Sequence, residues 1–315
     1  MRGRVLLIGS MLAAVVVAVL TSVVLLLVEP ELSKVEAIKT GALADGAVVA
    51  LYALWLNDRR RGTDEARHEL ESDKAADERF ARSVELLGNE TDQVRVGALH
   101  ALAWLAESTP RDKQTVLDVL CASLRRPFTH PSYTKRADDP DQAATEDPSD
   151  SSEADQERQV RLTAQRLITD LLPWGQNPDK TAYHLDLTAA SVEYFRLEGR
   201  RIGRLTARRT RFYGITRLSE LHASKPALFT SAMFLGRVEL REARFEGGIS
   251  FPDTTFTAEV AFQGASVSTF IDLNTTAPQR QTDTLTITEG TKVKGNANRW
   301  TPGDFPTKSI TSGEH

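Results

Sequence analysis

One apolar series in the back half of this 315-residue chain limits its folding more than any other feature. Leu187, Val192, Leu197, Ile202, Ala207 and Phe212 follow one another at five-residue steps. Leu218, Ala223, Phe229, Phe234, Leu240, Phe245, Phe251, Phe256, Phe262, Val267 and Leu273 continue the series with steps of six and five in alternation, a period of eleven. The residue two places before each centre repeats as well. Ala232, Ala243, Thr254 and Ala265 are small, and they alternate with the β-branched Val238, Ile249, Val260 and Ile271. An α-helix does not carry this pattern, because five residues advance about 140° and scatter the phenylalanines. A plain strand fails too, since an odd step switches faces. A coil that turns a corner every five or six residues fits. Each centre then points to the axis, the small residue beside it fills the remaining space, and stacked coils pair their backbones about 4.8 Å apart. The series makes a parallel solenoid of four coils over Leu187–Leu273. Its ends need caps, because each repeat is stabilised by its neighbours.

Within that series, Ala243–Gly247 (Ala-Arg-Phe-Glu-Gly) and Ala232–Gly236 (Ala-Met-Phe-Leu-Gly) resemble pentapeptide repeats of the A-x-[L/F]-x-x type. The upstream stretch Arg79–Pro127, with Val94–Leu99 and Arg111–Val116, is similar to the helical region of bacterial membrane-anchored pentapeptide-repeat proteins. The resemblance covers Arg59 to Leu273. It implies a right-handed quadrilateral parallel β-helix and an interaction role without a cofactor. The early repeats depart from the pattern: Leu185, Phe195, Arg200, Leu205 and Leu221 stand where small residues belong, so the first coils are expected to be irregular.

Ahead of the solenoid the periodicity is helical. Phe80, Val84 and Leu87 form one stripe; Val94, Ala98, Leu102 and Leu105 form the next. Thr109-Pro110-Arg111-Asp112 reads as a helix start with proline at its first position. Short helices joined by tight turns resemble a HEAT-like unit. Ala137–Asp155 is rich in Asp, Glu, Ser, Pro and Ala and lacks the apolar surface to offset its ordering entropy. It is expected to be a disordered insertion, with the helix resuming at Glu157 and stopping at Pro173.

The front of the chain is apolar. Val5 to Val28 is long enough to cross a hydrocarbon core of about 30 Å, and Ile38 to Leu56 forms a second run containing Asp45. Arg2 and Arg4 precede the first run, and Arg59, Arg60 and Arg61 follow the second. A hairpin puts both basic clusters on the cytoplasmic side. The expected class is thus α+β multidomain: an N-terminal transmembrane hairpin, an α-helical middle and a C-terminal solenoid. The expected divisions are 1–57 (helices at about 5–28 and 38–56), 58–136 helical, 137–156 acidic linker, 157–174 helix, 185–275 solenoid and 276–315 tail.

The search for chemistry yields no catalytic, cofactor-binding or metal-ligating residue. The six histidines are scattered, and no G-x-S-x-G or G-x-x-x-x-G-K-[ST] occurs. Cys121, the one cysteine, excludes an intrachain disulfide and fits a reducing compartment; it lies in an apolar helical run and reads as a small buried hydrophobe. Gly247-Gly248 reads as a corner of the repeat. His184 and Asp186 are an isolated polar pair. Arg125, Arg126 and Phe128 mark a helix end, where cations are favoured.

One surface stands out. Arg200, Arg201, Arg204, Arg208, Arg209, Arg211 and Arg217 occupy a run without an acidic residue. This is the candidate interaction surface, and Phe229, Phe234, Leu240, Phe245, Phe251, Phe256, Phe262 and Val267 are the expected solenoid core. The leading expectation is a non-catalytic scaffold tethered to the bacterial inner membrane, with soluble domains in the cytoplasm and an unknown cytoplasmic protein as partner. Oligomerisation is left open. A DNA mimic that binds topoisomerase is the alternative, but it needs an acidic surface, and Leu187–Leu273 holds twelve Lys/Arg against nine Asp/Glu. A nucleic-acid partner is not expected, although outward-facing arginines suit anionic lipid headgroups, nucleic acid or an acidic protein surface alike. A small membrane signalling or transport subunit working through Asp45 is the third reading.

Overall fold

The computed structural model describes residues 73–134, 153–177 and 181–275, the rungs 281–282 and 286–287, residues 290–295, and singly Val16, Leu20, Val23, Val24 and Glu71. The chain divides into two compact units, Met1–Ala75 and Ala76–His315. In the first, Val16, Leu20, Val23 and Val24 are helical and exposed. The expected hairpin at 5–28 and 38–56, with Asp45, otherwise lies outside the described residues, as do residues 137–152 of the acidic linker.

The expected fold class needs correction at its N-terminal end. Among the described residues no helix is long and apolar enough to cross a membrane. The physical reason is plain in the helices themselves. The Asp92–Ser108 helix has 17 residues, short of the ~20 that a span needs, and the 19-residue Glu153–Leu171 helix carries Glu153, Asp155, Glu157, Arg158, Arg161 and Arg166. The second unit is a β-solenoid of four turns with a few helices.

Those helices are α1 (76–86), α2 (Asp92–Ser108), α3 (Lys113–Leu124) and α4 (Glu153–Leu171). Three of them bury a stripe: Leu99, Leu102 and Ala106 on α2, Val116, Leu117, Leu120 and Leu124 on α3, and Val160, Ala164, Ile168 and Leu171 on α4; of the stripe expected on α1, Phe80 and Leu87 pack against the core while Val84 is exposed. A 3-10 turn, Pro110–Asp112, leads into α3. The last helix begins at Glu153, earlier than its apolar stripe announces, because Glu153 and Asp155 favour a helix N-terminus.

The solenoid has four strand ladders per coil. On the first, Arg201 and Ile202 pair with His222 and Ala223, which pair with Arg244 and Phe245, then Ser266 and Val267. On the second, Leu205 and Thr206 pair with Ala227 and Leu228, then Ile249 and Ser250, then Ile271 and Asp272. The third stacks Ser191–Glu193, Arg211–Tyr213, Met233–Leu235 and Thr255–Phe256. The fourth stacks Thr216–Arg217, Val238–Glu239, Val260–Ala261 and Gln281–Thr282. All pairs are parallel. Since Phe234 lies over Phe212 and Phe256 over Phe234, one coil consumes two eleven-residue periods.

Like residue stacks on like residue. The Phe212 and Phe234 rings are 4.6 Å apart and nearly parallel, and Phe234 and Phe256 are 5.1 Å apart. Phe229 lies 5.3 Å from Phe251. Phe229, Phe234, Leu240, Phe245, Phe251, Phe256, Phe262 and Val267 are all buried. Thr254, at a small-residue position, donates its hydroxyl to the Phe229 carbonyl at 2.7 Å, so no buried polar group is left over there.

The first coils are shorter. Tyr183 pairs with Ile202, Ser191 with Arg211 and Arg201 with His222, and a bulge interrupts the first ladder between Tyr183 and Leu185. Leu185, Phe195, Leu205 and Leu221 are buried where small residues were expected, whereas Arg200 is half-buried. The solenoid also continues past its expected end. Thr286–Ile287 and Lys292–Lys294 add rungs to the first and second ladders. One continuous core joins α2, α3 and α4 to the coils.

Candidate interaction surface

The helices cap the first coil through side chains that satisfy exposed ends of its backbone. Arg158 makes a bidentate pair with Glu193, its Nη2 2.8 Å from Oε1 and its Nε 3.0 Å from Oε2. Glu193 is buried, and its own N–H donates to Gln165 Oε1. Arg161 is buried too. Its Nη2 donates to the carbonyls of Leu124 at 2.6 Å and Ser191 at 3.0 Å, and its Nη1 to that of Arg126 at 3.3 Å. Burial lowers the Arg161 pKa, and the Glu157 carboxylate opposes the shift. On the other side, Gln114 brackets His184, donating to its carbonyl and accepting from its N–H.

This cap splits the seven arginines. Arg200 lies on the Trp174 ring, 3.8 Å from its centroid, and donates to the Leu172 carbonyl at 2.9 Å. Arg201 donates to the Gly175 carbonyl. Arg217 pairs with Glu239 at 3.9 Å on the next coil. These three fasten the fold. Arg204, Arg208, Arg209 and Arg211 are exposed, and among the described residues none of these four has an acidic partner. Their backbones are locked: Arg204 N–H donates to His184 Nδ1, Arg209 N–H to the Thr230 carbonyl and Arg211 N–H to that of Ala190. Arg209 sits at φ 56°, the corner between the second and third ladders.

The local field is positive. The His184 pKa is lowered, first by burial and then by the charges of Lys225 and Arg204. Asp186 does not pair with His184. Burial alone raises its carboxyl, but hydrogen bonds from Thr188 and the charge of Arg125 outweigh this and hold it below its usual range. Arg125 Nη1 stands 2.8 Å from Asp186 Oδ2. Burial pushes the Cys121 thiol up to about 12, which keeps it protonated and inert. Gly248 does take a positive φ, whereas Gly247 is required for a different reason: a Cβ there falls 2.2 Å from the Lys225 backbone of the coil beneath. Among the described residues no group of His, Cys, Asp and Glu is placed to hold a metal ion.

Two features escape sequence reading. Tyr133 stacks on Tyr213 at 3.9 Å, fastening the segment after α3 to the third ladder. A cleft of about 300 Å³ runs between α4 and the first coil, with Leu162, Arg166, Trp174 and Tyr194 in its lining. Neither leaves a local signal, because each joins residues far apart in the chain. No protein-family model, curated protein or solved structure matches the chain.

Proposed function

We propose that the chain is a non-catalytic interaction scaffold of the pentapeptide-repeat kind, with the arginine corner of its solenoid as the face that meets a cytoplasmic protein. The observation that carries this reading is the group Arg204, Arg208, Arg209 and Arg211, exposed side chains on a backbone held in ladder hydrogen bonds. A guanidinium is a planar five-donor fork suited to carboxylates. Fixing several forks on a stiff coil lowers the ordering cost that a flexible surface incurs on binding. Complementary charge adds on-rate and selects against wrong partners. The single cysteine, Cys121, agrees with a reducing compartment.

The test is proximity labelling in cells from a C-terminal fusion of the full chain, beside a variant carrying R204Q, R208Q, R209Q and R211Q. The reading expects a small set of proteins that is lost in the variant while its amount and melting temperature stay unchanged. An identical set from both proteins contradicts it.

A further inference from the structure

The exposed arginines do not end where the solenoid ends. Arg126, just past α3, is exposed and among the described residues has no acidic partner. Its carbonyl accepts from the same Arg161 guanidinium that donates to the Ser191 carbonyl, and Ser191 is the rung beside Arg211. Arg126 and Arg211 therefore lie at one edge, bridged by a buried group that fixes their spacing. Tyr133 seals the same edge. Along a strand, alternate residues share a face, so the exposed Arg211 and the Tyr213 under the Tyr133 ring point the same way. The belt thus runs from Arg204, through the corner at Arg208 and Arg209, to Arg211 and across to Arg126.

Its shape narrows the partner. Arg204 lies where the strand Arg201–Thr206 passes from the first ladder to the second, and Arg211 lies on the third. The two residues stand on different faces of the coil, on either side of a corner, which disfavours a flat bilayer surface. A DNA duplex is stiff over roughly 150 base pairs and does not follow a corner between strands of two and three residues. An extended polypeptide does. Seven steps from Arg204 to Arg211 span at most about 25 Å, a length covered by a strand of about eight residues at 3.3 Å each.

We infer that this belt, shared between the helical cap and the solenoid, seats an extended acidic peptide of the partner, bent around the corner and paired through its carboxylates to Arg126, Arg204, Arg208, Arg209 and Arg211. The inference rests on the scaffold reading and adds the cap's share and the chemistry of the partner.

The test is fluorescence anisotropy with the full chain and three probes: a labelled oligoglutamate of about eight residues, a duplex oligonucleotide of matched charge, and vesicles rich in phosphatidylserine. The expected result is peptide binding that weakens with salt, falls about tenfold or more in the R204Q/R208Q/R209Q/R211Q variant, and falls roughly threefold to tenfold in R126Q. An oligoglutamine control is expected not to bind. Loss in the fourfold variant with none in R126Q overturns the shared belt and leaves the scaffold reading intact. Binding of duplex or vesicles but not peptide overturns the partner class. Peptide binding unchanged in the fourfold variant overturns the site itself, and an unchanged labelling pattern in cells separately overturns the scaffold reading. Matching melting temperatures for all proteins ensure that the losses are of contacts and not of fold.

Discussion

Around Phe234 the coils follow one rule, and around Val192 they follow another. Phe212, Phe234 and Phe256 form a column of parallel rings, and every ladder near them keeps the same step from coil to coil. Near Val192 the steps shorten, a bulge appears and no aromatic column forms. There the backbone is held by Arg161, Gln165 and Gln114, and the Glu193 carboxylate by Arg158, all reaching in from the helices. Later coils are specified by their neighbours, as in any solenoid. The first coil has a neighbour on one side only, so the cap supplies both its apolar cover and its hydrogen-bond partners. The arginine belt sits at the junction of the two regimes, where side chains of the coil meet side chains of the cap.

Substitutions separate these regimes. Phe234→Ala removes the middle ring of the column. It is expected to cost about 3–5 kcal/mol, read by chemical denaturation, with hydrogen-exchange protection lost across the later coils. Arg161→Met keeps volume but leaves the carbonyls of Leu124 and Ser191 without their buried donor. About 2–3 kcal/mol is expected, with exchange increasing at Ser191–Glu193 and the end of α3 and little change near Phe251. Equal loss of protection in both regions would break the distinction. Gly236→Ala is expected to cost about 1–3 kcal/mol, since a Cβ there meets the Gly214 carbonyl carbon and oxygen at 2.4 Å. The smallest effect has the opposite sign. Ser231 occupies φ 56° at a corner of a regular coil, and Ser231→Gly is expected to raise stability by about 0.5–1 kcal/mol, as relief of a left-handed conformation outweighs the added freedom of the unfolded chain. A thermal melt that falls in this variant would show that the Ser231 side chain contributes more than its backbone strain costs.

The regular coils were legible because their signal is local and repeated: an apolar centre, a small or β-branched residue two places before it, and a fixed step. The early coils were harder to read. Leu185, Phe195, Leu205 and Leu221 break the small-residue rule, yet shorter coils and the helices packed on them give these side chains room. The last rungs were hidden by the loss of the centres themselves, since Pro278, Thr284 and Glu289 take the positions that continue the series. Two traces survive: Ile287 pairs with the centre Val267 and packs on the core, and Val293 pairs with Ile271 at a full coil's distance. Hydropathy alone suggested a membrane hairpin, a feature that no described helix carries.

The candidate surface was legible as a run and not as a site. Seven arginines without an intervening acid look alike in sequence, but Arg200, Arg201 and Arg217 are drawn into the fold by Trp174, Gly175 and Glu239, each remote in the chain. What remained was a group of four, and the cap extended it to Arg126. Spacing cannot report either event, because both depend on how α4 and the first coil meet.

Photo-cross-linking of an oligoglutamate peptide to the full chain, with the products mapped by mass spectrometry, tests the central claim most directly. The account predicts cross-links confined to residues 204–213 and 126–133, competed away by salt. Cross-links concentrated at Arg241, by the corner between the fourth and first ladders, or spread evenly over the surface would contradict it.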